Sequence, residues 1–152
     1  MALSRIQIAL DKADLVRALR SSEQNEGIFS TYGDVLTFAA ALGFHHKKRV
    51  PFEKASRRDP DPVLQEQFRD NSIISLLAFA ETRNPNILAQ NEDCDRDRAK
   101  IFQEYANGGL EILQDELKDS TDLAAKVLLM LENFKNGLPS DSLENFDLSI
   151  FL

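Results

Sequence analysis

Apolar and polar residues alternate over residues 4–10, SRIQIAL, with Ile6, Ile8 and Leu10 on one side and Arg5, Gln7 and Ala9 on the other. That is the period of a half-buried strand. From residue 11 the period lengthens. In 11–24, Ala13, Leu15, Val16, Ala18 and Leu19 fall on a helical stripe, with Asp11 as N-cap candidate and Asn25-Glu26-Gly27 as the break. A better-marked helix follows. Ser30 or Thr31 caps it, and Thr31-x-x-Asp34 resembles a capping box with the shorter acid. Val35, Leu36, Phe38, Ala39, Ala40 and Leu42 supply its apolar side, and Gly43 suits the left-handed position just past its end. The small residues Ala39, Ala40 and Ala41 would let another helix approach closely.

Residues 44–62 read as a connector bracketed by Pro51, Pro60 and Pro62. Asp61-Pro62 has the form of a cap followed by a first-turn proline, which predicts a helix over 62–82. A short helix over 84–90 takes Asn84 as its cap. Residues 92–118 predict one long helix or two, because Gly108 and Gly109 each cost about 1 kcal/mol in a helix interior. Either a bend or a closely packed backbone accounts for them. The last helix covers 121–134 and ends at Asn136-Gly137-Leu138-Pro139. The expected architecture is all-α, a compact bundle of five to seven helices with a short N-terminal strand as an option. It divides into one helical domain over 1–138, containing a candidate strand-helix-helix module over 4–43, and an acidic and apolar tail over 139–152.

Charge changes this picture in one place. The chain carries −7 overall. Yet the stretch 43–58 holds His45, His46, Lys47, Lys48, Arg49, Lys54, Arg57 and Arg58 against the single acid Glu53. Such asymmetry leaves room for a local contact with a polyanion. It also suits a solvated run beside a helix C-terminus, where cations are favoured without any ligand. The strand-helix-helix order has two readings as well. In a ribbon-helix-helix module, two chains pair their strands and the outward side chains read the major groove. Here Arg5, Gln7 and Ala9 would face the bases, and the N–H groups at Ser30 and Thr31 would face a phosphate. In the plainer version, Ile6 and Ile8 pin an extended arm to the helical core.

Catalytic equipment is sparse. Gly108-Gly109 follows no predicted strand and no Lys-Ser/Thr follows it, so it is no phosphate-binding loop. His45 and His46 are the only imidazoles, and they lie in the basic run rather than beside a nucleophile. Cys94, the only cysteine, excludes an internal disulfide, and its carboxylate-rich run EDCDRD (92–97) is the wrong setting for a thiolate. That run reads as a solvated helix start favoured by the macrodipole. Two histidines and one cysteine make a poor zinc site. The expectation is a non-enzymatic protein without cofactor or metal. The short apolar stretches, IISLLAFA (73–80) among them, and the lack of a signal-peptide order predict a cytoplasmic chain with no membrane span.

Several strings taken together, RIQIALDKADLVRAL, TYGDVLTFAAALGF, KKRVPFE, DPDP and IFQEYANGGLEILQDEL, resemble the bacterial family of DNA phosphorothioation-associated, or Dnd system-associated, protein four. The resemblance runs from about residue 5 to about 133 and leaves out the segment 136–152. It implies a setting in which sulfur replaces a nonbridging oxygen of the DNA backbone, or in which that mark serves defence. The sulfur chemistry falls to other components, and the resemblance brings no catalytic residues with it. Two functions follow as expectations. In the first, an accessory or regulatory protein, acting as a homodimer, contacts duplex DNA (phosphorothioated duplex included) through the connector cations, with Arg5 and Gln7. In the second, an adaptor docks on the other proteins of the system through Leu143, Phe146, Leu148, Ile150 and Phe151 of the tail, without touching DNA.

Overall fold

The computed structural model describes residues 3–21, 27–119 and 122–137, with the backbone alone for 134–137. The fold is all-α. Among the described residues, five helices run in the order α1 (Ala13–Leu19), α2 (Tyr32–His45), α3 (Ser72–Thr82), α4 (Glu92–Leu117) and α5 (Leu123–Gly137). Short 3-10 turns at Leu10–Lys12, Gln65–Gln67 and Pro85–Leu88 punctuate the connections. The tail 139–152 lies outside the described residues.

The seam between α2 and α4 organises the core. On α2, Leu36, Ala39, Ala40 and Gly43 are buried at helical spacing. On α4 they meet Phe102, Tyr105, Ala106, Gly109, Leu110 and Leu113. The two axes come close enough that a β-carbon on Gly109 would overlap the carbonyl of Ala39, and one on Gly43 would overlap that of Tyr105. Gly108 serves a different neighbour: a β-carbon there would strike the Lys48 carbonyl, where the connector crosses α4. So α4 is a single helix of 26 residues, and its glycines admit backbones from two sides. The propensity cost is offset by packing that no side chain would permit.

Gly43 therefore lies inside α2, not past its end. The left-handed position belongs to Lys47, at φ 53°. The Lys47 N–H donates to Phe44 O at 3.0 Å and the Lys48 N–H to Gly43 O at 2.8 Å, which is the paired bonding of a Schellman stop. The other end of α2 follows the sequence: Thr31 Oγ1 accepts from the Asp34 N–H at 3.1 Å.

The N-terminal segment is an extended arm, and its bonding partners lie in its own chain. Ile6 exchanges both backbone hydrogen bonds with Val63, each at 2.8 Å, and Ser56 N–H donates to Ile8 O at 2.7 Å. From the other edge, Gln7 N–H donates to Gln103 Oε1 at 3.1 Å. A ribbon pairing with a second chain would need these same groups. The expected module is corrected accordingly: Ile6 and Ile8 are buried, and they pin the arm to the core. The alternation also breaks after Ile8, because the chain turns at Leu10, so Ala9 is buried and Leu10 is exposed. The α1 helix is shorter than expected and has no side-chain cap from Asp11. It stops at Leu19, where the backbone leaves to bond Phe29.

The helix expected from Pro62 begins ten residues later. Val63 is held extended by its bridge to Ile6, so the Asp61-Pro62 signature has no helix to start. Asp70 instead accepts from the N–H and hydroxyl of Ser72. That bonding holds its carboxyl below the ordinary range, the hydroxyl contributing most and the N–H next. Asn84 caps the 3-10 turn that replaces the expected short helix, accepting from Asn86 N–H at 3.0 Å.

Candidate functional site

The basic connector is not one patch. Its first part lies against α4. Arg49 donates through Nε to Glu104 at 2.8 Å and through Nη1 to Glu81 at 3.3 Å. Burial pushes the Arg49 guanidinium down, but the hydrogen bonds and charges of Glu104 and Glu81 outweigh it and leave it raised. Lys48 pairs with Glu111 at 3.2 Å. Val50 N–H donates to the Glu104 carbonyl, and Asn107 Nδ2 donates to Val50 O, both at 3.0 Å. Behind this crossing the Tyr105 hydroxyl donates to Glu81. Burial first, then Glu81, pushes that phenol up to about 12. Two of the cations assigned to a phosphate grip thus hold the connector onto α4.

The remaining members are scattered. His45 and His46 end α2 with their rings edge to face, 5.1 Å apart. Lys47 follows them, exposed. Lys54, Arg57 and Arg58 lie beside the arm, since Ala55 bridges Ala9. All three are exposed and make no ion pair with a described residue. Arg5 and Gln7 are exposed on the same arm. Ser30 and Thr31 do not present a free helix start. The Asp34 carboxylate accepts from Ser30 Oγ at 3.1 Å and from Arg69 at 3.0 Å, which places a negative charge where a phosphate would sit. The tail residues Leu143, Phe146, Leu148, Ile150 and Phe151 lie outside the described residues.

The acidic run at the start of α4 holds more than a solvated cap. Asn91 caps the helix by accepting from Cys94 N–H at 2.8 Å, but Asp95 is buried. It accepts from Ser4 N–H at 2.6 Å and from Gln65 Nε2 at 3.1 Å, with Arg98 Nη2 at 3.9 Å. Burial pushes the Asp95 carboxyl up, and the Ser4 and Gln65 bonds with the Arg98 charge outweigh that and bring it below its ordinary range. Gln65 also donates to Ser4 O at 2.7 Å, and Arg98 to the carbonyls of Ile87 and Ala89. Every strong donor here is occupied within the fold, so the cluster is a clamp for the arm and the 85–88 turn. Sequence reasoning missed it because nothing local distinguishes Asp95 from Asp93 or Asp97.

Sequence reasoning also missed an exposed apolar surface. On α3, Leu76 is 61% exposed and Phe79 is largely so. On α5, Leu128 is 55% exposed and Leu129 and Leu131 nearly as much. Two grooves flank α2 between them. One, of about 530 Å³, is lined by Phe38, Leu42, Met130 and Leu131, with His45, His46 and Glu116 at its rim. The other lies against Phe44, Ile73, Leu76 and Leu77. Ala41 and His45 line both, so the apolar strip is continuous from α5 across α2 to α3. Isolated surface leucines need no explanation; larger contiguous apolar patches are the ones on which partners dock.

The described fold spends its buried charges on internal contacts and turns an apolar strip outward. Among the described residues no helix is long and apolar enough to cross a membrane, and no cluster of His, Cys, Asp or Glu suits a metal. Residues 5–151 match the family described as DNA sulphur modification system-associated protein 4, and the chain belongs to it. The match takes in the tail that the sequence resemblance left out. No curated protein and no solved structure matches the chain.

Proposed function

We propose that this chain is a non-catalytic adaptor of the DNA sulphur modification system, docking on another protein of that system through the α5–α2–α3 strip. The observation that carries this reading is the pair of grooves flanking α2, with exposed Leu131 lining one and exposed Leu76 lining the other. Burying one leucine contributes about 1.5–3 kcal/mol, so losing one contact weakens docking roughly tenfold or more. The test is capture of the system's other proteins by the purified chain. L76E with L131E should lower the affinity at least tenfold while leaving the helical signal intact. Equal capture by that double variant would remove the strip from the account.

A narrower DNA contact has its own support in Lys54, Arg57 and Arg58, exposed beside Arg5 and Gln7. Binding to plain and phosphorothioated duplexes across a salt series tests it. Each phosphate neutralised contributes about −0.9 to the slope of log K against log salt. R57A with R58A should reduce that slope by about 2. K48A and R49A should instead lower stability, because those side chains are bound to α4.

A further inference from the structure

We infer that the groove between α2 and α3 takes an amphipathic segment of a partner protein, with apolar residues at one-turn spacing and carboxylates that meet Lys47 and Arg83. This rests on the adaptor reading and names the chemistry of the partner. The groove, of about 490 Å³, is lined by Phe44 of α2 and by Ile73, Leu76, Leu77 and Ala80 of α3; its two polar lining residues are His45 and Lys47. Arg69, ahead of α3, pairs with Asp34 at the start of α2, and Arg49, just past α2, pairs with Glu81 at the end of α3. The two helices therefore run the same way. On α3, exposed Leu76, Phe79, Ala80 and Arg83 follow at helical spacing, so Lys47 and Arg83 mark the same end of the groove. Its length along α3 is about 16 Å, room for about three turns of a docked helix.

The charge offered at that end has one sign. The α2 and α3 helices hold one acid each, Asp34 and Glu81. Asp34 is bound by Ser30 and Arg69 at the far end, and Glu81 by Arg49 and Tyr105. Asp70, also at the far end, is taken up by Ser72. Lys47 and Arg83 make no ion pair with a described residue. The groove between α2 and α5 differs, because Glu116 lines it. A second copy docked by the same α2–α3 face would bring cations against cations, and a DNA duplex would set phosphates against Leu76 and Phe79. An apolar segment bearing acids meets both demands. Lys47 and Arg83 also sit in the left-handed region, each at φ 53°, at helix stops where glycine fits without strain. A cation gains less from a helix C-terminus than a non-glycine residue loses in that backbone. Folding alone favours glycine at both positions, and the cations stand there against it.

The test uses overlapping peptides of about 16 residues, tiled through the other proteins of the sulphur modification system and titrated against the full chain by fluorescence anisotropy. The peptides that bind should carry apolar residues at one-turn spacing and a net negative flank. K47G with R83G should lower their association rate about fivefold or more and flatten its fall with salt, while raising the protein's denaturation midpoint. A purely structural role would move binding and stability together. K47E with R83E should lower the affinity at least tenfold, and exchanging the peptide's acids for lysine should restore binding to that variant. Binding of no peptide, selection of basic or uncharged peptides, or equal binding by K47G with R83G overturns the inference. So does a dimeric mass in sedimentation that L76E abolishes, since the occupant would then be a second copy. A duplex whose affinity K47G with R83G lowers, while no peptide binds, hands the two cations to DNA and overturns it as well. The adaptor reading fails separately. Peptide binding of this kind without capture of any intact protein sinks that reading and leaves the groove's chemistry standing. Capture that L76E with L131E weakens but K47G with R83G does not sinks this inference alone.

Discussion

The middle of α4 and the length of α5 are both helix, and they are held in opposite ways. Around Gly108 and Gly109, backbone packs on backbone from two directions, with α2 on one side and the 48–50 connector on the other. Along α5, Val127 is fully buried while Leu128, Leu129 and Leu131 face outward. The first region has no room for a single added carbon. The second leaves apolar area uncovered, and each exposed leucine forgoes the stabilisation that burial would contribute. The difference separates residues committed to folding from residues available to a partner. The connector cations divide along the same line: Lys48 and Arg49 are committed to α4, while Lys47, Lys54, Arg57 and Arg58 are not.

The comparison is easiest to break at the seam. G109A places a methyl against the Ala39 carbonyl, and neither backbone can yield without separating the helices. The expected loss is about 3 kcal/mol or more in chemical denaturation. A near-native midpoint would mean that the seam is looser than its geometry. The Asp95 clamp comes next. D95N replaces one acceptor oxygen with a donor among the Ser4 and Gln65 donors, for an expected cost of about 2–3 kcal/mol. Because the folded-state carboxyl titrates below its ordinary range, its stabilisation is present above about pH 4 and lost as pH falls through the lower folded value. D95N should flatten that acid limb. Tyr105 has the opposite sign: its folded value is about 12 against an ordinary 10.0, so stability should fall as pH rises between the two, and Y105F should abolish that loss. K47G should raise stability by about 0.5–1 kcal/mol by relieving the left-handed backbone. The smallest effect belongs to α5: L131Q should change stability by about 0.5 kcal/mol or less while weakening partner capture.

Local rules were legible where the partner is local. Thr31 caps α2 because its acceptor and the Asp34 N–H are three residues apart, and the alternation of Ile6 and Ile8 was visible because burial of an arm leaves a period. The helix expected from Pro62 failed for a non-local reason, since Val63 answers to Ile6. Gly43 met every condition for a helix stop except that Tyr105 already occupied its flank. The basic connector misled in the same way: the sequence displays Lys48 and Arg49 but not the acids Glu111, Glu81 and Glu104 that face them. Of the candidate surface, the strip from α5 to α3 stayed hidden because exposure is a property of what fails to pack, which no residue announces.

The clamp on the arm also sets an order of assembly. Ser4 and Asp95 are 91 residues apart, and ribosomes add about 5–20 residues per second. The arm therefore waits roughly 5 to 20 seconds during synthesis before its partner exists. Through that interval Ile6 and Ile8 have no core to enter, and the α2 face lined by Ala39 and Gly43 has no α4 to meet. Folding of this domain is held back until most of it has been made, so the nascent chain presents its apolar arm to whatever factors attend the ribosome.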